Sequence, residues 1–328
     1  MNGARKLAVA AMIAAASLTG FSAPAAAASG DFGPVSITGV PPASQKMQKI
    51  QQLGVITANL PAGKIAYVYS SLTASQSADV NLVDNEIRCS GAGEKNVVLG
   101  ENLDPASSAQ PGRATITIVN RFLLKATSSG TLTCRLSVRT SSLSNNTSSF
   151  TVSGTLRFAS LDVAPDAAGA PLQVSLPVGN IVVDKTVNTL LVDRTMGSGH
   201  SKVAVIADVQ YMSCYPTACP SSGSISTARF TLIAKQMNGN TVCASAPPAT
   251  TEVAVSRQTH HKTVPLYTTI TLAPGCDRLY AYVQAVYVSD YVGAIQGEAD
   301  GLTDVTGSPG PGVPVHNSTM THLFAVPS

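Results

Sequence analysis

Nucleophilic hydrolysis needs a Ser or Cys, a His base and an acid within mutual reach. The 328-residue chain has five His, at 200, 260, 261, 316 and 322, and 36 Ser, so chance combinations abound. Gly197-Ser198-Gly199-His200-Ser201 lacks the Gly-x-Ser-x-Gly order of a nucleophile elbow. It precedes a strand-like run with no helix pattern behind it, and so reads as a turn. His260 and His261 cannot face one ligand from a regular strand, because adjacent side chains point to opposite faces. A metal role for either needs a further ligand from a neighbouring strand, and a hydrolase site near this pair is the enzymatic alternative.

Carboxylates gather near the C-terminus. After Arg278 there is no Lys or Arg, while Asp290, Glu298, Asp300 and Asp304 fall within 15 residues. Calcium takes oxygen ligands from carboxylates and loop carbonyls, so Gly297 to Asp304 is a candidate donor loop. It lacks the Asp-x-Asp-x-Asp-Gly order of an EF-hand, and a solvated acidic loop is the competing reading. Tyr is uneven too, with seven of nine in the second half. Tyr280, Tyr282, Tyr287 and Tyr291 form a candidate ligand surface, since Tyr carries contact area with a polar tip. They equally suit the interior of strands. The absence of Trp disfavours a flat sugar-stacking platform.

Six Cys allow 15 pairings, and an internal repeat narrows them. Gly63 to Val68, Asn85 to Cys89, Val97 to Leu99 and Leu132 to Val138 recur in order as Gly199 to Val205, Asn240 to Cys243, Val253 to Val255 and Cys276 to Val283. Cys89 then corresponds to Cys243 and Cys134 to Cys276, which gives each copy one long-range core bridge. Cys214 and Cys219 close on each other or on a foreign Cys. They form no Cys-x-x-Cys motif, and no cation sits beside them to lower a thiol pKa.

Period-2 alternation supplies the elements that hold these residues. Leu132, Cys134, Leu136 and Val138 share one face of a strand, and Thr131, Thr133, Arg135, Ser137 and Arg139 the other. Residues 115–124, 203–211 and 229–234 alternate likewise. Pro42 to Gly54, with Met47, Ile50 and Leu53 at three-residue spacing, is the one candidate helix. The chain is therefore expected to be all-β: two antiparallel β-sandwich domains, Ig-like or jelly-roll-like, forming an internal repeat. The first covers 29–163, Ala164 to Pro171 is the linker, and the second covers 172–328 with the Cys214–Cys219 loop and the acidic C-terminal segment. A single merged two-sheet domain is the alternative.

Residues 1–28 have the form of a signal peptide, with Arg5 and Lys6, an apolar core, and Ala26-Ala27-Ala28 before Ser29. The core is shorter than the roughly 20 residues needed to span a bilayer. Export in turn makes the Cys disulfide candidates. Only 12% of residues are charged, and Ser plus Thr number 67, so hydroxyls keep the surface wet. Beyond residue 28 the chain carries 19 bases and 18 acids, without the clustered Lys and Arg that phosphate binding requires, which argues against nucleic acid. That balance averages unlike halves: 11 bases and 8 acids in 29–163, against 8 bases and 10 acids in 164–328. The Ala-heavy leader looks bacterial, so the sequons at Asn145, Asn146 and Asn317 read as polar loops.

Leu60-Pro61-Ala62-Gly63-Lys64 before an apolar strand, with Cys134-Arg135-Leu136 later, resembles β-sandwich units of exported actinobacterial proteins of unassigned function. The resemblance spans about residues 55–140 and, more faintly, 199–285. It implies a fold and a compartment and carries over no catalytic residue. The expected role is that of a secreted, extracellular or cell-envelope protein without enzymatic activity. It would bind a ligand through its surface or serve as a structural component, with no cofactor and no membrane span after residue 28. The alternatives are a secreted hydrolase and a calcium-stabilised adhesion module.

Overall fold

The computed structural model describes residues 29–40, 49–75, 80–102, 115–142, 149–221, 223–257, 259–303 and 315–328. The leader at 1–28, residues 42–48 of the candidate helix, Asn145, Asn146 and Asp304 lie outside them.

Every described element is a strand or a connection between strands. The first half contains β1 (Ser29–Ile37), β2 (Lys49–Leu60), β3 (Ile65–Ser75), β4 (Val80–Gly91), β5 (Lys95–Asn102), β6 (Thr115–Lys125), β7 (Gly130–Ser142) and β8 (Phe150–Ser160). The second half runs through β9 (Gln173–Ser175), β10 (Asn180–Val183), β11 (Val187–Thr195), β12 (Lys202–Met212), β13 (Ile225–Asn238), β14 (Thr241–Ser245) and β15 (Ala249–Ser256). It continues with β16 (His261–Thr271), β17 (Arg278–Asp290), β18 (Gly293–Gln296), β19 (Glu298–Thr303), β20 (Val315–Thr319) and β21 (His322–Pro327).

Pairing in the first half gives the sheets β1-β8-β3-β6 and β2-β7-β4-β5. The second half repeats that order as β9-β21-β12-β16 and β11-β17-β13, with β14 and β15 both on β13 in the place of β5. Strand order 1-8-3-6 against 2-7-4-5 is the double Greek key of a jelly roll, which decides against the Ig-like option. The repeat read from four short segments is thus a repeat of topology. Each copy turns between its second and third strands on a left-handed glycine, Gly63 at φ +84° and Gly199 at φ +89°, where a side chain would be strained.

Each sandwich encloses its own core. Val68, Leu72, Ile118, Phe122, Leu136 and Phe158 are buried in the first, and Val205, Val209, Phe230, Leu232, Val283 and Leu323 in the second. Residues 49–54 are strand and not helix, because β2 pairs along β7 from Lys49 onward. A bulge between Gln52 and Gly54 interrupts its alternation, which removed the period-2 signal there.

Three disulfides close, Cys89–Cys134, Cys214–Cys219 and Cys243–Cys276. Cys89 and Cys134 face each other across β4 and β7 and are buried. The expected second core bridge is a rim bridge: Cys243 on β14 and Cys276 in the β16–β17 loop are both half-exposed. The two bridges nevertheless sit at the same corner of the repeated sheet. Replacing Cys89 and Cys134 together by Ala removes a 45-residue closure. The expected cost is about 4 kcal/mol from loop entropy, to be measured by urea denaturation.

The halves are not beads on a string. The β19–β20 hairpin from the second half extends the first half's sheet, with Thr319 paired in parallel to Val97 of β5. The 164–171 segment is a pinned turn: Asp166 accepts from Ala168 N (3.0 Å), Ala170 N (2.7 Å) and the Arg194 guanidinium (3.1 Å). A third apolar cluster of Ile65, Leu123, Val163, Ile206 and Phe324 lies between the sandwiches.

Around that cluster, side chains of the second half satisfy the edge strands of the first. The Gln210 amide accepts from Gly100 N at 2.8 Å and donates to Gly100 O at 2.9 Å, as a neighbouring strand would. Leu123 N donates to Gln173 Oε1 at 2.7 Å, and His322 Nε2 donates to Arg121 O. The Arg121 guanidinium makes two hydrogen bonds to Asp208, at 2.5 and 3.1 Å, which hold it protonated despite its burial. Glu101 takes both the amide and the hydroxyl of Thr263 at 3.2 and 2.6 Å. Unpaired edge groups are costly when buried, and these residues supply their partners.

Candidate functional site

The two copies treat one equivalent surface in opposite ways. In β4 and β7 of the first copy, Asp84, Glu86 and Arg139 point away from the sandwich core and are buried nonetheless. Glu86 and Arg139 pair at 2.7 Å with neither side chain exposed, and Arg88 adds a second cation at 2.8 Å. Burial pushes the Asp84 carboxyl up to about 7, against the pull of Arg139.

The corresponding face of the second copy is open. Along β17, Leu279, Ala281, Val283 and Ala285 enter the core, which turns Tyr280, Tyr282 and Gln284 outward. Tyr280 and Tyr282 contact edge to face, with ring centroids 5.7 Å apart and planes at 70°. Across the ladder Lys235 lies opposite Tyr280 and Ile233 opposite Tyr282 on β13, while Asp193 of β11 flanks Tyr280. Leu191 on the same sheet is 49% exposed.

Ion pairs border the face. Arg278 grips Asp193 with its second nitrogen at 2.5 Å, and these hydrogen bonds hold the Asp193 carboxyl below the usual carboxylate range. Arg229 pairs with Glu252 at 2.9 Å, and the Thr231 and Thr250 hydroxyls meet at 3.1 Å. The result is a half-exposed aromatic pair and aliphatic carbons ringed by hydroxyls, amides and neutralised charge.

No family model and no curated protein matches this chain. Among solved structures, the N-terminal CBM22-1-CBM22-2 tandem domain from Paenibacillus barcinonensis Xyn10C aligns over 84% of this chain and 98% of that one. Identity is 9% and the TM-score 0.20, from which nothing about this chain follows.

The four expected Tyr do not form one surface. Tyr287 is in register with the core-facing residues of β17, packs against the second core and donates its hydroxyl to Asp290 O at 2.8 Å. Tyr291 lies beyond the strand and is exposed.

The expected calcium loop is a strand. Glu298 and Asp300 lie on β19, paired with β20 at the edge of the first half's sheet, and Asp290 ends β17 with its carboxylate accepting from Ser289 Oγ at 2.9 Å. Among the described residues no three His, Cys, Asp or Glu gather as a metal site.

The His pair also departs from expectation. His260 adopts φ +32° and breaks the alternation, so its ring meets that of His261 edge to face at 4.4 Å. Both rings are half-buried, and burial holds His260 below its ordinary pKa and His261 down at about 3. His260 Nδ1 lies 3.4 Å from Ser213 Oγ, but that hydroxyl is buried and donates to Ser256 O at 3.0 Å. Among the described residues no carboxylate joins them as a triad would require.

Sequence reasoning missed the contacts between the halves altogether. Gln210, Asp208 and His322 carry them, and apolar Ile206 and Phe324 interleaved with them on the face of β12 and β21 opposite the core were the available signal. No helix of the described residues is long and apolar enough to cross a membrane, and three disulfides fit an oxidising compartment.

Proposed function

We propose that this is an exported, non-catalytic binding protein that docks on cell-envelope material through the open β11-β17-β13 face. One observation carries the reading. Of two equivalent jelly-roll faces, the first is occupied by a buried charge cluster and the second presents the Tyr280–Tyr282 pair beside Ile233 and Leu191. Interfaces use Tyr as a rigid anchor with a polar tip, surrounded by a polar rim. The first sandwich then acts as a rigid mount, and the disulfides protect the assembly outside the cell.

Co-sedimentation with an insoluble envelope fraction tests this. The intact chain is expected in the pellet, and Y280A/Y282A is expected to lose at least tenfold in apparent affinity with an unchanged melting temperature. Equal sedimentation of a folded double variant would overturn the assignment.

A further inference from the structure

The repeat supplies an internal control for a second site. In the first copy, the turn at 61–64 between β2 and β3 is zipped to the loop at 126–129 between β6 and β7. Gly63 N donates to Ala126 O at 2.8 Å, Ala126 N to Lys64 O at 2.8 Å, and Ala62 N to Ser129 Oγ at 2.9 Å. In the second copy both connections are two residues longer, 196–201 and 272–277. Leu272 N still donates to Ser201 O at 2.9 Å, and Met196 N donates to Asp277 O at 2.6 Å. Between these two contacts the chains bow apart around a cleft of about 640 Å³.

The cleft is held open. The side chain of Gln236, 1% exposed, accepts from Ala273 N at 2.7 Å and donates to Ala273 O at 3.1 Å and Cys276 O at 2.5 Å. The Cys243–Cys276 bridge ties the same loop to β14. Preorganisation of this kind lowers the ordering cost of binding, and the volume lies within the range of small-molecule sites, roughly 300–1,000 Å³.

Its lining selects a chemistry. Ser198, His200 and Asp277 reach it, Met196, Leu272 and Pro274 give it apolar carbon, and no Lys or Arg lines it, which disfavours phosphate. Among the described residues the N–H groups of Ser198, Gly199 and His200 take no protein partner and are free to donate to a ligand, and Asp277 on the facing loop offers a carboxylate that can accept. A ligand matching both walls carries hydroxyls that donate and accept in turn, with C–H groups between.

We infer that this cleft binds one hexose-sized unit of a neutral polyhydroxylated ligand, at a site distinct from the Tyr280–Tyr282 face. Saturation-transfer NMR of the full disulfide-bonded chain with a panel of methyl hexopyranosides tests it. Transfer to at least one member is expected. It should fall at least fivefold in D277N and in S198W, which fills the cleft from an exposed turn, and persist in Y280A/Y282A. Absence of transfer across the panel at millimolar concentration, transfer unchanged in both cleft variants, or displacement by inorganic phosphate would overturn the assignment. Because Y280A/Y282A leaves the cleft intact, failure here and failure of the envelope-binding face are distinguishable.

Discussion

Replacing Asp208 with Ala is expected to destabilise the protein by about 3–5 kcal/mol, the cost of leaving a buried cation without its partner. Asp208 is 1% exposed and receives both hydrogen bonds from the Arg121 guanidinium across the contact between the sandwiches. The Ala variant strands Arg121 beside the Ile65, Leu123, Val163, Ile206 and Phe324 cluster. Removing both charges with D208L/R121L should cost much less than D208A, since no unpaired ion remains. Urea denaturation of the three proteins checks this, and equal losses in D208A and the double variant would show that the pair is not acting as a buried ion pair. The contact should also govern cooperativity: D208A is expected to separate one unfolding transition into two, because each sandwich has its own core.

Acidification is the second large effect. Burial holds His261 and His322 at about 3, far below the ordinary 6.5, so both stay neutral in the fold while the unfolded chain protonates them as pH drops through 6.5. Their contribution is complete above pH 6.5 and is lost progressively as pH falls towards 3. Asp84 works the other way: its folded carboxyl titrates near 7 against an ordinary 3.8, so the fold binds a proton that the unfolded chain does not. Between about pH 6 and 4 unfolding takes up protons at His261, at His322 and at His260, which burial also holds low, and releases them at Asp84 and at Asp208, whose carboxyl burial likewise pushes up, so the slope is a difference of opposing contributions. Each such proton is worth about 1.4 kcal/mol per pH unit.

His322→Gln keeps an N–H for Arg121 O without a titrating ring, and should lower the slope by about 1.4 kcal/mol per pH unit between about pH 6 and 4. Asp84→Asn removes a proton released on unfolding and should raise the slope by about 1.4 kcal/mol per pH unit. Urea midpoints at pH 4, 5, 6 and 7 decide the matter, and a wild-type slope left unchanged by both substitutions would contradict the assignment.

The strands, the copies and the Cys pairings are legible because period-2 alternation and equivalent positions are local properties of a chain. Alternation is informative wherever one face is buried and the other wet, as along Leu132 to Val138. The same rule, applied strictly, separates Tyr280 and Tyr282 from Tyr287, since five residues along a strand reverse the face. Grouping them by proximity in sequence lost that information. The His260–His261 contact was not legible, because one residue at positive φ cancels the alternation. Nor was the destination of β19 and β20, since an edge strand's partner depends on which edge is free, and that is settled only after both sandwiches exist. The cleft shows the reverse case. Both connections exceed their counterparts by two residues in the sequence itself, and only the aligned strands reveal that the two excesses face each other.

The second half's reach into the first bears on the order in which the chain can mature. Synthesis proceeds from the N-terminus, so β1 to β8 are available while Gln173, Gln210, His322 and the β19–β20 hairpin do not yet exist. During that interval the Gly100 and Leu123 backbone groups have no partner, and two strand edges stand open to any passing chain. Long-range pairings of this kind form slowly and leave such edges exposed. Gln173 and Gln210 satisfy these groups first, while the β19–β20 pair on β5 and His322 on Arg121 come last, so a chain cut before β19 should leave these edges open and aggregate more readily than the intact one.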